Sequence, residues 1–249
     1  MKVSIITIAY NSAETIEDTI KSVASQDYND IEYIIIDGAS KDDTLAIVNK
    51  HSASISKIVS EPDKGIYDAM NKGVQAATGD IVGILNSDDF YANNQVISNI
   101  VQEFKNSKSE GIYADLVYVD REESDKIIRY WKAGEYKKGL FEKGWMPPHP
   151  TFFVKKECYN KFGLYSLNLK SAADYELMLR FIRKEEITVS YFPEVITKMR
   201  VGGQSNVTLK NRWRANREDR EAWRMNGLKP SPFTLIRKPL SKIVQFIKR

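Results

Sequence analysis

Apolar residues follow two different periods over the first 90 positions of the chain. Short apolar runs, typical of buried strands, cover residues 3–8, 32–37, 55–60 and 80–85. Between them, apolar residues recur every three or four positions and predict helices over about 13–25, from Ser40 or Asp42 onward, and over about 65–77. The inward positions of these helices are Ile16, Ile20 and Val23, then Leu45 and Val48, then Ile66, Met70 and Val74. Alternating strands and helices predict an α/β, doubly wound, mostly parallel sheet.

The second half of the chain is less regular after Asn93. The pattern predicts a helix over 94–104, a strand over 111–119 that pairs with 126–131, and a Pro-rich loop over 145–150. An apolar run follows at 151–154, then a helix over 173–184 and a strand over 189–192. The sequence shows neither an internal repeat nor a low-complexity linker.

Composition is that of a globular protein with a sizeable core. The 249 residues are 42% hydrophobic and 28% charged, which suits one large domain or one domain with an appendage. The single cysteine, Cys158, excludes an internal disulfide and fits a reducing compartment. We see neither a run of about 18 apolar residues nor a signal-peptide pattern. These features predict a cytoplasmic protein.

Positive charge is concentrated in the C-terminal segment. Residues 206–249 contain 12 Lys and Arg against 3 Asp and Glu, whereas the rest of the chain contains 25 against 30. Residues 211–225 form a basic helix candidate with Trp213 and Trp223. Further apolar residues with helical spacing are Ile236, Leu240, Ile243, Val244 and Ile247, and the basic residues around them are Arg237, Lys238, Lys242, Lys248 and Arg249. This pattern favours an interfacial helix on an anionic membrane. The alternatives are packing on the domain or on a homodimer partner, while the absence of a recognised nucleic-acid-binding motif disfavours nucleic acid.

Acidic residues follow three of the predicted strands. Asp37 ends the second strand, Asp63 follows the third, and Asp88 and Asp89 follow the fourth. Because parallel strands present their carboxyl ends at one edge, these residues predict a ligand crevice, which Tyr10 joins from the first strand. Alternatively, Asp37 and Asp63 cap helices and Tyr10 is only a packing residue.

Asp88 and Asp89 are candidate metal ligands. Hard oxygen ligands suit Mg²⁺ or Mn²⁺, and such ions commonly sit on phosphates. The pair could instead cap the next helix. The chain contains neither a G-x-G-x-x-G dinucleotide motif after its first strand nor a G-x-x-x-x-G-K-[ST] phosphate loop. Phosphates would therefore be held by a metal ion and basic side chains.

Four segments together resemble family 2 glycosyltransferases of the GT-A fold. They are residues 7–12 (Thr-Ile-Ala-Tyr-Asn-Ser), 37–44 (Asp-Gly-Ala-Ser-Lys-Asp-Asp-Thr), 61–73, which include Asp63-Lys64-Gly65, and 85–89 (Leu-Asn-Ser-Asp-Asp). The resemblance is detailed over the first 105 residues and weaker to about 206. It implies a GT-A catalytic domain over 1–205, with a nucleotide-sugar half (1–105), an acceptor half (106–205) and a basic helical extension (206–249).

The resemblance also implies roles for individual residues on the donor side. Ala9, Tyr10 and Asp37 would hold the nucleobase end of a nucleotide-sugar, with Asp63 in the same pocket and Asn11 beside it. Asn86, Ser87 and Asp88 occupy the family's D-x-D position, so a divalent cation would bind Asp88, with Asp89 as the other candidate. Arg200 lies in a segment, residues 199–205, that resembles the family's flexible cover over the donor diphosphate.

On the acceptor side, the resemblance places the catalytic base at Asp174. Ala173 stands where the family has glutamate, and Glu176 is a less favoured substitute that would lie at the acceptor. Asp174 could instead be only an N-cap of its helix. His149 is expected to contact the acceptor, and Trp145 either stacks on a sugar or packs in the core.

The sequence thus predicts an inverting glycosyltransferase that uses a UDP- or dTDP-linked sugar. The expected acceptor is a hydroxyl of a lipid-linked or glycan molecule in bacterial surface-polysaccharide assembly, at the inner face of the plasma membrane. One alternative is a sugar-nucleotide nucleotidyltransferase, although residues 7–12 lack the glycine-rich loop expected of one. The other is a non-catalytic relative that binds a nucleotide or a membrane.

Overall fold

A computed structural model describes residues 1–202 and 209–230 of the protein. The strands are β1 Val3–Ala9, β2 Ile31–Asp37, β3 Lys57–Ser60, β4 Ile81–Asn86, β5 Asp89–Tyr91, β6 Gly111–Val119, β7 Ile127–Trp131, β8 Phe153–Lys155 and β9 Val189–Arg200. The helices are α1 Ile16–Ala24, α2 Thr44–Lys50, α3 Ile66–Ala76, α4 Val96–Ser107, α5 Lys156–Phe162, α6 Ala173–Met178 and α7 Leu209–Met225. A π-helical segment, Leu179–Lys184, continues α6.

The strands form one mixed sheet in the order β3-β2-β1-β4-β8-β6-β9-β5, with β7 paired to β6. β1 is parallel to both β2 and β4, and β2 is parallel to β3. β8 runs antiparallel between β4 and β6, whereas β6 and β9 are parallel. The predicted α/β fold with a mostly parallel sheet is confirmed, and the same sheet runs through both halves of the chain.

The central strands are buried on both faces, so their side chains form two cores. Ile6, Ile34 and Met70 belong to the core beneath α3, whereas Ile5 and Ile20 belong to the core on the opposite face. This division follows the two-residue period of a strand, in which successive side chains point to opposite faces. Gly73 allows α3 to lie close to β1, because a Cβ at this position would overlap the Ile6 Cγ2 methyl group.

The predicted helix faces are mostly confirmed. Ile16, Ile20 and Val23 are buried in α1, and Met70 and Val74 are buried in α3. Ile66 was predicted to face inward but is 46% exposed. It is the first residue of α3, and the neighbouring Tyr67 takes the buried position instead.

Three elements differ from the sequence expectation. The predicted strand over 189–192 extends to Arg200, since β9 pairs with β6 along its length and also with β5. β5 and α5 were not predicted, and each has seven residues or fewer. β5 is only three residues, Asp-Phe-Tyr, and α5, Lys-Glu-Cys-Tyr-Asn-Lys-Phe, is mostly polar, so neither shows a recognisable apolar period.

The basic C-terminal segment packs on the domain in the part that the structure describes. Trp223 and Ala222 of α7 are buried in the same core as Tyr175 and Leu177 of α6. The packing alternative therefore holds for α7. The predicted amphipathic stretch over 236–249 lies outside the described residues. Among the described helices, none combines the length and apolar character that crossing a bilayer requires.

Candidate active site

The carboxyl ends of the parallel strands bring the predicted donor residues to one edge of the sheet. Ala9 at the end of β1 pairs in register with Asp37 at the end of β2. On its other side, β1 pairs with β4, where Ile8 lies opposite Asn86. Tyr10, Gly38 and Ser87 follow directly after these strand ends, so the segments that follow form a common rim.

Tyr10 and Asp63 meet around Gly38. A Cβ at position 38 would lie 2.9 Å from Asp63 Oδ2 and 3.3 Å from Tyr10 Cδ2. Tyr10 is 55% exposed, which leaves an aromatic ring open to solvent beside a carboxylate. Lys72 of α3 donates to Asp63 Oδ1 at 2.6 Å, and this bond raises the pKa of Lys72. The open ring can stack on a planar base, and the carboxylate beside it can accept a hydrogen bond from an N–H of that base.

Asp37 is buried and bonded within the protein. Its carboxylate accepts hydrogen bonds from the Ser40 backbone N–H at 3.1 Å, from Ser60 Oγ at 2.6 Å and from Ser40 Oγ. Its side chain has no exposed surface, so these bonds engage it within the protein. Asp37 therefore shapes the loop after β2, and its contact with a donor stays a prediction.

Asn11 links the two loops that follow β1 and β2. Its φ of 49° is in the left-handed region, which asparagine tolerates better than most residues. Its Oδ1 accepts from the Lys41 N–H at 2.8 Å, and its own N–H donates to Ser40 Oγ at 2.9 Å. The side-chain oxygen that was expected at the donor is thus used between the loops. Ala9 acts similarly through its backbone, because its carbonyl accepts from Gly38 N–H at 2.9 Å.

The turn after β4 carries two unsatisfied buried oxygens. Asn86 Nδ2 donates to Asp89 Oδ2 at 3.1 Å, but Asn86 Oδ1 and Asp89 Oδ1 have no hydrogen-bond partner among the described residues. Burial raises the pKa of Asp88, while the guanidinium charges of Arg200 and Arg121 oppose this rise. Burial, together with the Asp88 charge, raises the pKa of Asp89 well above its usual range. Ionisation of both carboxyl groups is thus disfavoured in this turn, and a bound cation would offset that cost and accept the unsatisfied oxygens as ligands.

Hydrogen bonds fix the backbone of this turn. Ser87 Oγ lies 2.7 Å from Ser12 Oγ, which joins the rims of β4 and β1. Thr19 Oγ1 of α1 lies 3.0 Å from the carbonyl oxygen of Ser87 and 2.7 Å from that of Asp89. Ser87 thus acts as a link between loops, and the direct donor contact expected of it stays a prediction.

The oxygen atoms of this turn fit a hard divalent cation. Mg²⁺ is commonly held by one or two carboxylates together with substrate phosphates, and Asp88, Asp89 and Asn86 supply such a set. No group of three or more His, Cys, Asp or Glu side chains suited to a metal was found in residues 1–202 and 209–230. The protein would accordingly supply few of the cation's ligands, and the substrate phosphates would supply others. Asp89 is fully buried, which leaves Asp88 as the more accessible carboxylate.

Arg200 lies at the end of β9 and supports the same turn. It donates to the Asp88 carbonyl oxygen at 3.0 Å, forms an ion pair with Asp18, and lies 4.7 Å from the centre of the Phe90 ring. The expectation that it belongs to a flexible cover is wrong, because it is a buried strand residue paired with Val119. Residues 203–205 of that predicted segment lie outside the described residues.

Asp174 is held by two residues from other parts of the chain. Tyr67 of α3 donates to Asp174 Oδ1 at 2.9 Å, and His149 Nδ1 lies 3.4 Å from Asp174 Oδ2. The N-cap alternative is wrong, because Ala172 is the N-cap of α6 and Asp174 is the second residue inside the helix. Burial, followed by the Asp174 charge, raises the pKa of Tyr67 well above its usual range, so this phenol remains a hydrogen-bond donor. Asp174 is thereby an oriented carboxylate.

Two acceptor-side expectations are corrected. Trp145 is half-buried and packs against the core: its Nε1 donates to Ala133 O at 2.7 Å, and its ring stacks on Tyr136 with centroids 5.3 Å apart. Glu176 is buried and accepts from Arg180 Nε at 2.9 Å and from Asn226 at 3.1 Å. Arg180, four positions further along the helix, and Asn226, just beyond α7, occupy the oxygens of Glu176. Glu176 is therefore directed away from Tyr67 and His149, the partners of Asp174.

Sequence reasoning missed Tyr67 as a functional residue. It lies within the segment 61–73 that was recognised, but a buried tyrosine at a helical position is read as core. The signal available was its hydroxyl, which a buried tyrosine must direct to a partner. The partner of the Tyr67 hydroxyl, Asp174, lies 107 positions away, so the local sequence does not reveal it. Asn71 of α3 likewise bonds to a distant segment, at the backbone of Tyr165.

Comparison with known proteins identifies the family. The sequence model described as glycosyl transferase family 2 matches residues 4–162. An uncharacterized glycosyltransferase of Mycobacterium tuberculosis is 36% identical over 186 residues, which cover 72% of this chain and 68% of that protein. A glycosyltransferase named for PGL/p-HBAD biosynthesis in Mycobacterium bovis is 28% identical over 83% of this chain and 80% of its own length. The chain therefore belongs to glycosyl transferase family 2.

Solved structures show the same fold. TarS residues 1–349 of S. aureus, in complex with UDP-GlcNAc, has a TM-score of 0.69 at 18% identity over 91% of this chain. The match spans only 65% of that TarS chain. The mannosyltransferase PcManGT from Pyrobaculum calidifontis, in complex with GDP-Man and Mn²⁺, also has a TM-score of 0.69, at 19% identity over 99% of this chain and 72% of its own. The predicted GT-A fold is confirmed.

Proposed function

We propose that the protein transfers a sugar from a nucleotide-sugar to an acceptor hydroxyl, with inversion at the anomeric carbon. The observation that carries this proposal is the position of His149. Its ring lies 3.4 Å from the Asp174 carboxylate, and the short helical turn His149–Thr151 packs against β4, the strand that leads to Asp88. The oriented carboxylate and the cation-attracting turn are thus neighbours, which is the arrangement that a base and a phosphate leaving group require.

In the proposed reaction, Asp174 accepts the proton of the acceptor hydroxyl. The hydroxyl oxygen forms a bond to the anomeric carbon while the bond from that carbon to the diphosphate oxygen breaks, so the nucleoside diphosphate leaves. A single displacement of this kind inverts the configuration, which gives a β-linked product from an α-linked donor. Tyr67 and His149 hold the carboxylate in place, since a base must lie within hydrogen-bond reach of the proton.

Asp88 and Asp89, together with Asn86 Oδ1, would hold a divalent cation at the β4 turn. When bound, Mn²⁺ or Mg²⁺ supplies Lewis-acid neutralisation of the leaving diphosphate. Arg200 supports this role indirectly, because it fixes the Asp88 backbone. The support for the cation is the pair of unsatisfied buried oxygens and the raised pKa values of both carboxyl groups.

The proposed donor is a sugar linked to UDP or dTDP. Tyr10 would stack on the pyrimidine, and Asp63 would bind its N–H, while Asp37 would act on the nucleobase end through the loop after β2 that it shapes. One structural neighbour holds UDP-GlcNAc and another GDP-Man, so the family's fold accommodates both a pyrimidine and a purine nucleotide. Gly38 lets Tyr10 and Asp63 approach each other closely, because a Cβ there would lie 2.9 Å from Asp63 Oδ2 and 3.3 Å from Tyr10 Cδ2, and a larger residue would push the two groups apart.

The proposed acceptor is a hydroxyl of a lipid-linked or glycan molecule, handled at the inner face of the plasma membrane. Support comes from the relative named for PGL/p-HBAD biosynthesis and from the basic, amphipathic sequence of residues 231–249. His149, beside the base, would contact this acceptor. The expected homodimer stays a prediction.

A thermal-shift panel tests the donor. The protein is heated with Mn²⁺ and, in turn, UDP, dTDP and GDP and their common sugar conjugates, because a ligand of the folded state raises the melting temperature. We expect UDP or dTDP compounds to stabilise the protein, and Gly38→Val to abolish this effect. Ala53→Val is the control, since it also adds bulk but at an exposed position, and both variants are compared with the wild type without ligand as well. If no nucleotide changes the melting temperature, the proposed function is wrong.

A further inference from the structure

α7 contacts the segment that carries Asp174. This helix lies beyond residues 4–162, to which the family model extends. Trp223 is buried against α6, and its indole Nε1 donates to the Tyr175 hydroxyl at 2.8 Å. Tyr175 is the residue directly after the proposed base, so α7 bears on the first turn of α6.

Glu218 of α7 binds the backbone that precedes α6. Its side chain is only 7% exposed, and its Oε2 accepts hydrogen bonds from Ser171 N–H at 2.7 Å and from Lys170 N–H at 3.0 Å. Arg214, one turn earlier on α7, donates from Nε to Ser171 Oγ at 3.1 Å. Hydrogen bonds to a charged acceptor are stronger than those between neutral groups, so this loop is firmly held.

A third contact lies just beyond α7. Asn226 Nδ2 donates to Glu176 Oε1 at 3.1 Å, and the same carboxylate is paired with Arg180. The contacts made by Glu218, Trp223 and Asn226 therefore fall on residues 170, 171, 175 and 176. They lie on both sides of Asp174 along the chain, while Asp174 itself remains free to face Tyr67 and His149.

The N-terminus of α6 needs such support. Its N-cap is Ala172, whose side chain cannot satisfy the first backbone N–H groups of the helix. The preceding loop is instead fixed from outside by Glu218. A displacement of about 1 Å in a reacting group can cost about 100-fold in rate.

We propose that Glu218 is a positioning residue for Asp174, through the loop of Lys170 and Ser171. This inference rests on the proposed role of Asp174 as the base. Glu218 touches neither substrate nor Asp174. It holds the backbone from which the base projects, and α7 thereby belongs to the catalytic unit.

The test compares Glu218→Ala, Glu218→Gln and the wild type in the full chain. Turnover is followed as nucleoside diphosphate release from UDP-GlcNAc, UDP-glucose, UDP-galactose, dTDP-rhamnose and GDP-mannose, and binding is followed with UDP and Mn²⁺. We expect Glu218→Ala to lower kcat about 10- to 100-fold. The donor KM and the Kd for UDP should change less than about twofold, because the contacts of Glu218, Trp223 and Asn226 fall on residues 170–176 and not on Tyr10 or Asp63. Glu218→Gln keeps an acceptor oxygen for both N–H groups and should recover most of kcat.

Glu221→Ala is the matched control, since Glu221 lies on the same helix and pairs with Arg224 at the surface. Trp223→Phe is a second variant, which keeps an aromatic ring but removes the bond to Tyr175, and we expect a smaller loss of kcat from it. If Glu218→Ala does not fold, the kcat of Trp223→Phe decides the test instead. An unchanged kcat in the variant that folds, an equal loss in Glu221→Ala, or no recovery in Glu218→Gln overturns the proposal.

Amide hydrogen exchange separates this proposal from the proposed function. Glu218→Ala should speed exchange in residues 170–176 but leave α3 unchanged, and this readout requires no turnover. If exchange changes as expected but the wild type transfers no sugar, the proposed function fails while the contact between α7 and the loop stands. If exchange in residues 170–176 does not change, the positioning role itself is wrong.

Discussion

Replacing Asp174 by asparagine tests the proposed base with little disturbance of the fold. Asn has the same shape, and its Oδ1 can still accept the hydrogen bond that Tyr67 donates at 2.9 Å. Its Nδ2 would face His149 Nδ1, which lies 3.4 Å from the present Asp174 Oδ2 and can accept in its neutral form. Since neither partner is left unsatisfied, the free energy of unfolding should change by less than about 1 kcal/mol.

The expected effect on catalysis is much larger. A positioned general base contributes about 10²- to 10⁴-fold to the rate, and an amide cannot accept the acceptor's proton. At about 1.4 kcal/mol for each factor of ten, this corresponds to about 3–5 kcal/mol of lost transition-state stabilisation. The assay measures nucleoside diphosphate release with the donor that the thermal-shift panel selects, with and without a bacterial lipid extract. Calorimetry with UDP and Mn²⁺ should show unchanged donor-side binding.

Asp43→Asn is the matched control. Asp43 is an exposed residue at the start of α2, and its side chain makes no capping hydrogen bond. The same chemical change there should leave both turnover and UDP binding unaltered. Transfer within about tenfold of the wild type in Asp174→Asn, with UDP still bound, would refute the assignment of the base.

Three further outcomes follow from other parts of the structure. Asp88→Asn should remove most of the rise in melting temperature that Mn²⁺ gives with UDP, and an undiminished rise would show that the ion binds elsewhere. Burial works to raise the pKa of Glu32, but hydrogen bonds from Ser4, Thr78 and Lys2 outweigh it and lower that pKa to about 2. Stability from Glu32 is therefore present above pH about 4.5 and lost as the pH falls through about 2, so Glu32→Gln should cost about 1–2 kcal/mol at pH 7 in urea denaturation and progressively less below pH 4.5. Deleting residues 231–249 should abolish sedimentation of the protein with anionic phosphatidylglycerol vesicles, but it should not alter hydrolysis of a soluble nucleotide-sugar. Unchanged sedimentation would exclude this segment as the membrane contact.

The sequence predicts the first half of the fold well because its elements are local. Buried strands and amphipathic helices alternate there, and each reveals its period over 4 to 11 residues. β9 was underestimated because its outer part, beyond Phe192, is stabilised by pairing with β5 and β6 and not by an apolar run. Pairing between residues 90 and 198 cannot be read from the composition of either segment.

For the candidate site, the sequence predicts which residues gather at the sheet edge but not what their atoms contact. Tyr10 and Asp63 converge as strand order requires. Glu176 and Trp145 were placed at the acceptor by their neighbours in sequence, yet their partners, Asn226 and Ala133, lie 50 and 12 positions away. Arg200 was read as part of a cover for the same reason. A polar side chain's role depends on the distant groups that fold against it, and those groups have no local signature.

α3 connects two carboxylates of the site, and this has a geometric consequence. Lys72 bonds Asp63 on the donor side, whereas Tyr67 bonds Asp174 at the base. These residues are five positions apart, which is about 7.5 Å along a helix axis. Gly73 lets α3 pack closely on β1, because a Cβ at this position would overlap the Ile6 side chain. The helix therefore fixes the separation between Asp63, the proposed nucleobase contact, and Asp174, the proposed base. One residue inserted between Tyr67 and Lys72 would rotate the two contacts about 100° out of phase.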